Sequence, residues 1–200
     1  MTKIAIFASG SGSNAENIIQ YFAPSQTIEV ALILTNKVDA FVLERARKFH
    51  IPAIFVPTKE WKEGDFVLSL LKKEGIDWIV LAGFLLKVPG NIIDVFPNRI
   101  LNIHPALLPK YGGKGMYGHH VHEAVVAAGE KESGITIHYV NSHYDEGRII
   151  LQVSCPVLSS DSADDVAEKV HALEYEYFPR VIGEAINTAQ SYDSVAGNWN

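Results

Sequence analysis

The sequence predicts an open, mainly parallel, twisted α/β sheet with helices on both faces and an antiparallel excursion in its C-terminal part. Three observations carry that prediction. Short β-rich runs alternate with helical patterns from Lys3 to Ile103. Several of those runs, such as Ile4-Ala5-Ile6-Phe7-Ala8 and Val30-Ala31-Leu32-Ile33-Leu34, are apolar from end to end, as in strands covered on both sides. Two later strand-like runs follow one another with no helix between them, which makes them antiparallel neighbours.

In chain order, residues 3–8 read as a strand, and 14–22 as a helix with Ile18, Ile19 and Phe22 on its apolar side. A strand over 29–35 precedes a helix over 40–49 rich in good helix formers. A short strand at 53–56, a helix at 60–74 and a strand at 77–82 follow, then a short helix at 91–96 and a strand at 100–103. The antiparallel pair occupies 134–140 and 148–157. Asp161-Ser162-Ala163-Asp164 then caps a long closing helix, in which Val166, Val170, Leu173, Tyr177 and Val181 recur at steps of three and four. Residues 191–200 read as a frayed tail, leaving 1–190 as one domain, its N-terminal half carrying the phosphate or nucleotide site.

Composition narrows the function classes. With 200 residues, 48% of them hydrophobic, the chain can bury a core and is not disordered. Seventeen basic against 23 acidic residues leave a net charge of −6, which disfavours nucleic acid or an anionic membrane as partner while permitting a local basic pocket. Cys155 stands alone, so no internal disulfide forms, as fits a reducing compartment. The first apolar run is too short for a signal-peptide core, and the longest, 79–86, contains Gly83 and falls short of the roughly 18 residues that cross a bilayer. The expected location is cytoplasmic.

Open α/β sheets bind ligands beyond the carboxyl ends of their strands, so polar residues just after strands are the candidates. Ser9-Gly10-Ser11-Gly12-Ser13-Asn14 joins the first strand to the first helix. Such a loop is either a tight turn with a capping side chain or an anion cradle of backbone N–H, hydroxyl and amide groups. Gly10-x-Gly12-x-x-Ala15 also fits the dinucleotide fingerprint, but the second strand ends Leu34-Thr35-Asn36-Lys37, without the acid that would hold a ribose. A phosphate site is favoured over a nicotinamide site.

Leu101-Asn102-Ile103-His104-Pro105 is the most informative segment. Residues two apart share a strand face, so Asn102 and His104 point together while Ile103 faces away. Pro105 holds His104 extended and ends the ladder. An amide beside an imidazole suits a reaction that develops negative charge on a carbonyl oxygen, where one donor lowers the barrier by ~3 kcal/mol. A carboxylate beside the ring would raise its pKa and keep it protonated. Asp145 is the candidate, in the loop Asn141-Ser142-His143-Tyr144-Asp145-Glu146-Gly147, and a solvated turn aspartate is the alternative for it. His119, His120 and His122 lack a third partner on a fixed scaffold, so no metal is assigned, and Gly112, Gly113, Gly115 and Gly118 beside them read as a mobile flap. His50, His138 and His171 stand singly, with packing or surface roles as the default, and Cys155 inside a strand is not read as a nucleophile.

Ser9 to Asn14, Leu81-Ala82-Gly83-Phe84, Asn102-Ile103-His104-Pro105 continuing into Ala106-Leu107-Leu108-Pro109, and Asp145-Glu146-Gly147 together resemble the 10-formyltetrahydrofolate-dependent formyltransferase family. The likeness runs from Lys3 to about Gly183, and the Ser/Gly loop points to the branch that acts on glycinamide ribonucleotide. The resemblance implies a formyltransferase fold, formyl transfer in purine biosynthesis and 10-formyltetrahydrofolate as co-substrate. It implies that Gly12, Ser13 and Asn14 hold the substrate phosphate, and that Asn102, His104 and Asp145 are catalytic. It places Leu85, Leu86, Lys87 and Val88 along the folate pocket, with Asn102 and with Asn141, Ser142, His143, Tyr144 and Asp145 closing it, so that the C-terminal half binds folate. It brings His171, Ala172, Leu173 and Glu174 to the nucleotide, in a monomer or homodimer.

Relatives with a further C-terminal domain or a preceding regulatory domain, including a formyltetrahydrofolate hydrolase, are set aside on length and on the loop. A hydrolase-like enzyme and a non-catalytic nucleotide-binding regulator remain the alternatives. Three departures from the family pattern stand out: Leu86 where an arginine is frequent, Glu146 where a glycine is frequent, and a longer stretch over 112–118.

Overall fold

Seven strands form one sheet in the computed structural model, which describes residues 1–196. The strands are β1 (Thr2–Phe7), β2 (Ile28–Thr35), β3 (Ala53–Phe55), β4 (Trp78–Leu81), β5 (Ile100–His104), β6 (Glu132–Tyr139) and β7 (Ile149–Pro156), in the spatial order β3-β2-β1-β4-β5-β6-β7. The first five are parallel; β6 runs antiparallel to β5, and β7 antiparallel to β6. Order reverses beside β1, whose chain leaves toward β2 while β4 lies on its other side, and this opens a crevice at the carboxyl ends of β1 and β4.

Both faces of the central strands are apolar because both are covered. Ile4, Ile6, Trp78, Val80, Leu101 and Ile103 meet a helical layer of α1 (Ser13–Phe22), α2 (Val42–Lys48), α6 (His119–Ala127) and α7 (Ala163–Ala196). Ala5, Phe7, Ile79, Leu81 and Ile100, one residue out of phase, meet the opposite layer of α3 (Thr58–Glu63), α4 (Asp65–Lys73) and α5 (Gly90–Val95). Trp61 anchors that second core: its ring lies 4.9 Å from Phe7 and 4.6 Å from Phe84, centroid to centroid.

Three elements differ from the sequence reading. The single helix expected over 60–74 is two, because Gly64 adopts a left-handed φ of 79° that ends α3 and starts α4. The end of the presumed flap is helix: α6 begins at His119 and buries Val121, His122 and Val125. Finally, α7 continues to Ala196, through much of the stretch read as a frayed tail, and 197–200 lie outside the described residues. Within α7 the buried stripe runs Val166, Val170, Glu174, Phe178 and Ile182, so a carboxyl group occupies a core position; Leu173 and Tyr177 are only partly buried. No helix among the described residues is long and apolar enough to cross a membrane.

Replacing Trp61, 1% exposed, by alanine should cost ~3–5 kcal/mol of stability, measured by urea unfolding. Phe84, which leads into the loop after β4, loses its main aromatic neighbour in that variant.

Candidate active site

A cleft of about 660 Å³ opens at the carboxyl ends of β1, β4 and β5. Its floor is the loop after β1. Gly12 holds φ at 73°, and a Cβ there would sit 2.5 Å from Val42 Cγ2, so both the turn and the contact with α2 require glycine. The first intrahelical bond of α1 is Glu16 N–H to the Gly12 carbonyl, and no side chain caps the helix start, so the N–H groups of Ser13, Asn14 and Ala15 are left for an anion. From α2, Val42 N–H donates to the Gly10 carbonyl and Arg45 Nε–H to the Ser11 carbonyl, which holds the loop from behind.

Ser9, 1% exposed, ties this floor to the neighbouring loops. Its N–H donates to the Gly83 carbonyl at 3.0 Å, its hydroxyl donates to Asn36 Oδ1 at 2.6 Å, and Leu85 N–H donates to its Oγ at 2.9 Å.

Asn102 and His104 project from the end of β5, while Ile103 enters the first core, as strand parity requires. Asp145 reaches them from the loop after β6 in a left-handed conformation (φ 53°) that aspartate tolerates better than most residues. One carboxylate oxygen lies 3.7 Å from His104 Nδ1 and accepts the Gly113 N–H at 2.9 Å; the other accepts from Asn102 Nδ2 at 3.5 Å. The His104 ring donates Nε2–H to the Tyr111 carbonyl at 2.6 Å. Carboxylate, amide and imidazole therefore meet, and the reading of Asp145 as a merely solvated turn residue falls.

His138 belongs to the same cluster, which sequence reasoning missed. It is 2% exposed and stands opposite Asn102 in the β5–β6 register. Its Nδ1–H donates to the Tyr139 carbonyl at 2.8 Å, which leaves Nε2 to accept from Asn102 Nδ2 at 3.0 Å.

Burial and charge set the protonation states. Burial holds the His104 pKa below 6.5 despite the opposing pull of Asp145 and the Tyr111 carbonyl. The expectation that the carboxylate would keep this ring protonated is thus corrected: at 4% exposure, desolvation outweighs a partner 3.7 Å away. For Asp145 burial works upward, but the His138 ring, the Gly113 N–H and the nearby His104 ring outweigh it, and the carboxyl is held below its usual range. Burial pushes Glu174 up, against the Asn14 amide, which donates to Glu174 Oε2 at 2.9 Å, and against His171. Asn14 Oδ1 is buried without a partner.

The remaining candidates divide. Gly12, Ser13, Asn14, Leu85, Tyr144, His171 and Glu174 line the cleft. Ala172 is exposed and Leu173 packs on the first core, so neither lines it. Leu86 packs on the second core and Val88 is buried in it, while Lys87 lies over the Tyr144 ring, 5.9 Å from its centroid. The backbone groups of Leu86 and Lys87 make no hydrogen bond among the described residues, which leaves that edge open to a flat heterocycle. Asn141, Ser142 and His143 shape the loop: Asn141 Oδ1 accepts the His143 N–H at 2.9 Å. Among the described residues, no three His, Cys, Asp or Glu side chains form a group that could hold a metal ion.

An amide, an imidazole and a carboxylate beside an anion cradle, at the switch point of an open α/β sheet, define a group-transfer site of the doubly wound class. Comparison with known proteins makes this specific. The formyl transferase family profile matches residues 2–182, and the chain belongs to that family. It is 41% identical to the chloroplastic phosphoribosylglycinamide formyltransferase of Arabidopsis thaliana, over 90% of this chain and 64% of that protein, so it spans just under two thirds of that plant relative. It is 35% identical to the phosphoribosylglycinamide formyltransferase of Haemophilus influenzae, covering 91% of this chain and 86% of the relative. The crystal structure of the phosphoribosylglycinamide formyltransferase from Bacillus halodurans superposes with a TM-score of 0.86 at 37% identity, covering 94% of this chain and 97% of that one.

Two outcomes follow from the electrostatics. Asp145→Asn removes the Coulombic support of His104, so its imidazole pKa should fall further, as read by NMR titration of the ring. His122, on α6, is 2% exposed with an unpartnered Nδ1, and burial, aided by the charges of His171, His119 and His104, lowers its pKa to about 4. The unfolded chain then takes up this proton first as pH falls through 6.5, and the fold loses stability from there down to about 4. Urea midpoints measured across that window should fall less steeply for His122→Gln than for the wild type; His104 contributes in the same direction, so some slope persists.

Proposed function

We propose that this chain transfers the formyl group of 10-formyltetrahydrofolate to the amine of glycinamide ribonucleotide, giving formylglycinamide ribonucleotide and tetrahydrofolate, a step of purine biosynthesis. The observation that carries the reading is the convergence of Asn102, His104 and Asp145 on the cleft that also holds the Gly12–Ser13–Asn14 cradle.

In this reading the α1 start receives the phosphate and Glu174, fixed by Asn14, receives a hydroxyl or amine of the nucleotide. The folate ring lies along the open backbone edge of Leu86 and Lys87, between Leu85 and Tyr144. Each subsite draws on both halves of the chain, in place of the one-half-each division that the sequence suggests: Asn14 partners Glu174, and Lys87 partners Tyr144.

The uncharged amine attacks the formyl carbon. Asn102 donates to the oxygen that becomes negative, as does the His104 ring once its N–H leaves the Tyr111 carbonyl. The ring enters neutral and donates its N–H as a hydrogen bond to the oxyanion, and charged Asp145, 3.7 Å from the other ring nitrogen, stabilises the positive polarisation of the ring that this bond induces. Asp145 also positions a water that carries the proton from the attacking nitrogen to the departing folate nitrogen. No covalent enzyme intermediate is required.

The direct test incubates the protein with glycinamide ribonucleotide and 10-formyltetrahydrofolate and follows the deformylated folate. Release that persists without the nucleotide would assign a hydrolase, and nucleotide binding without turnover a regulator. Asn102→Ala should lower kcat by ~10²–10³-fold, and His104→Ala by at least as much, with nucleotide affinity nearly unchanged in both. Ordinary turnover by His104→Ala would remove the mechanism.

A further inference from the structure

The cradle at the α1 start offers a phosphate dianion N–H dipoles but no formal positive charge. Cations stand close behind it, yet they are engaged: Arg45 and Lys48 both pair with Glu16, the acid in the first turn of α1. The cleft itself is lined by two lysines, Lys37 from the loop after β2 and Lys114 from the segment over 112–118. Neither ammonium group has a hydrogen-bond or ion-pair partner among the described residues, while the acids lining the same cleft, Asp145 and Glu174, are both held by neighbours.

Lys114 sits between Gly113 and Gly115, at φ of 91° and 92°, and a Cβ at either glycine would meet nothing within 4 Å. The backbone there is set by glycine conformations and not by packing, so the lysine rides on a segment free to adjust. That segment is registered to the reaction centre at one point, where Gly113 N–H donates to Asp145 Oδ2 at 2.9 Å.

We propose that Lys114, carried on this glycine-flanked segment, together with Lys37 on the fixed floor, supplies the counter-charge for the phosphate of the nucleotide substrate, and that Lys114 makes recognition of that phosphate part of ordering the segment over Asp145. The inference rests on the proposed function and deepens it, because it assigns discrimination between a phosphorylated substrate and its dephosphorylated counterpart to residues outside the loop after β1. An ammonium–phosphate contact is charge-assisted and salt-sensitive, and lysine makes it as a mobile point charge.

The test measures binding of glycinamide ribonucleotide, and of the corresponding nucleoside lacking the phosphate, by calorimetry to the whole chain, without folate. Lys114→Ala should weaken nucleotide binding ~10-fold or more. Nucleoside affinity should stay as in the wild type, and Lys114→Arg should recover most of the loss. Lys37→Ala should show the same selectivity, and the double variant should lose more of the preference for nucleotide over nucleoside than either single variant, the N–H groups of the α1 start keeping the remainder. Equal nucleotide affinity for the wild type and Lys114→Ala would overturn the proposal, as would equal losses for nucleotide and nucleoside, which would mark a general effect on the segment. If the wild-type chain binds no nucleotide, the proposed function fails first, and that result is distinct from either of these.

Discussion

The reaction centre depends on one pairing: β5 against β6, antiparallel, in the register that sets Asn102 opposite His138 and His104 opposite Thr136. Side chains alternate across a sheet, so a slip of one residue would turn His138 to the other face and leave Asn102 without its acceptor. The same register aims Thr136 at the chain beyond His104. Its hydroxyl donates to the Ala106 carbonyl at 2.7 Å and accepts the Leu108 N–H at 3.0 Å, and Gln152 Nε2–H, from β7, reaches both that hydroxyl and the Leu108 carbonyl. Three strands thus fix the path that brings the Tyr111 carbonyl onto the imidazole. The turn after β6 then returns Asp145 to the carboxyl end of β5.

The cleft holds its titratable groups in states that burial selects. Desolvation lowers the pKa of His104 and of His122, and for the same reason raises that of Glu174. Asp145 escapes because two imidazole rings flank it and the Gly113 N–H donates to it. A neutral imidazole beside a fixed negative charge is poised to respond: the hydrogen bond from its N–H strengthens as negative charge appears on a substrate oxygen. A permanently charged ring would stabilise ground state and transition state more evenly, and only the difference between them accelerates the reaction.

Much of this was legible in the sequence. The end-to-end apolar strands foretold a sheet covered on both faces, and strand parity with Pro105 placed Asn102 and His104 together at a strand end. What stayed hidden required knowledge of register and of neighbours. His138 looked solitary because nothing local says which residue of an antiparallel partner it will face. Helix α6 was missed because the glycines before it and the three histidines at its start mask a short amphipathic pattern that only packing against α7 stabilises. Glu174 was placed at the nucleotide by family likeness, yet a physical signal existed: it stands four residues from Val170 and from Phe178, where an apolar side chain would complete the stripe.

Coupling between the loop after β1 and the loops after β2 and β4 is built on a single residue. Ser9 uses both its capacities, donating to Asn36 after β2 and accepting from Leu85 after β4, while its backbone N–H holds Gly83. The loops after three neighbouring strands therefore meet on one buried side chain. Parallel strands cannot be joined by tight turns, so their carboxyl-end loops are otherwise independent segments, each paying its own ordering entropy. Fastening them to one residue ties the floor proposed for the phosphate to the edge proposed for the folate. The glycine-rich segment over 112–118 lies outside that knot, with open space at Gly113, Gly115 and Gly118 and one hydrogen bond from Gly113 to Asp145.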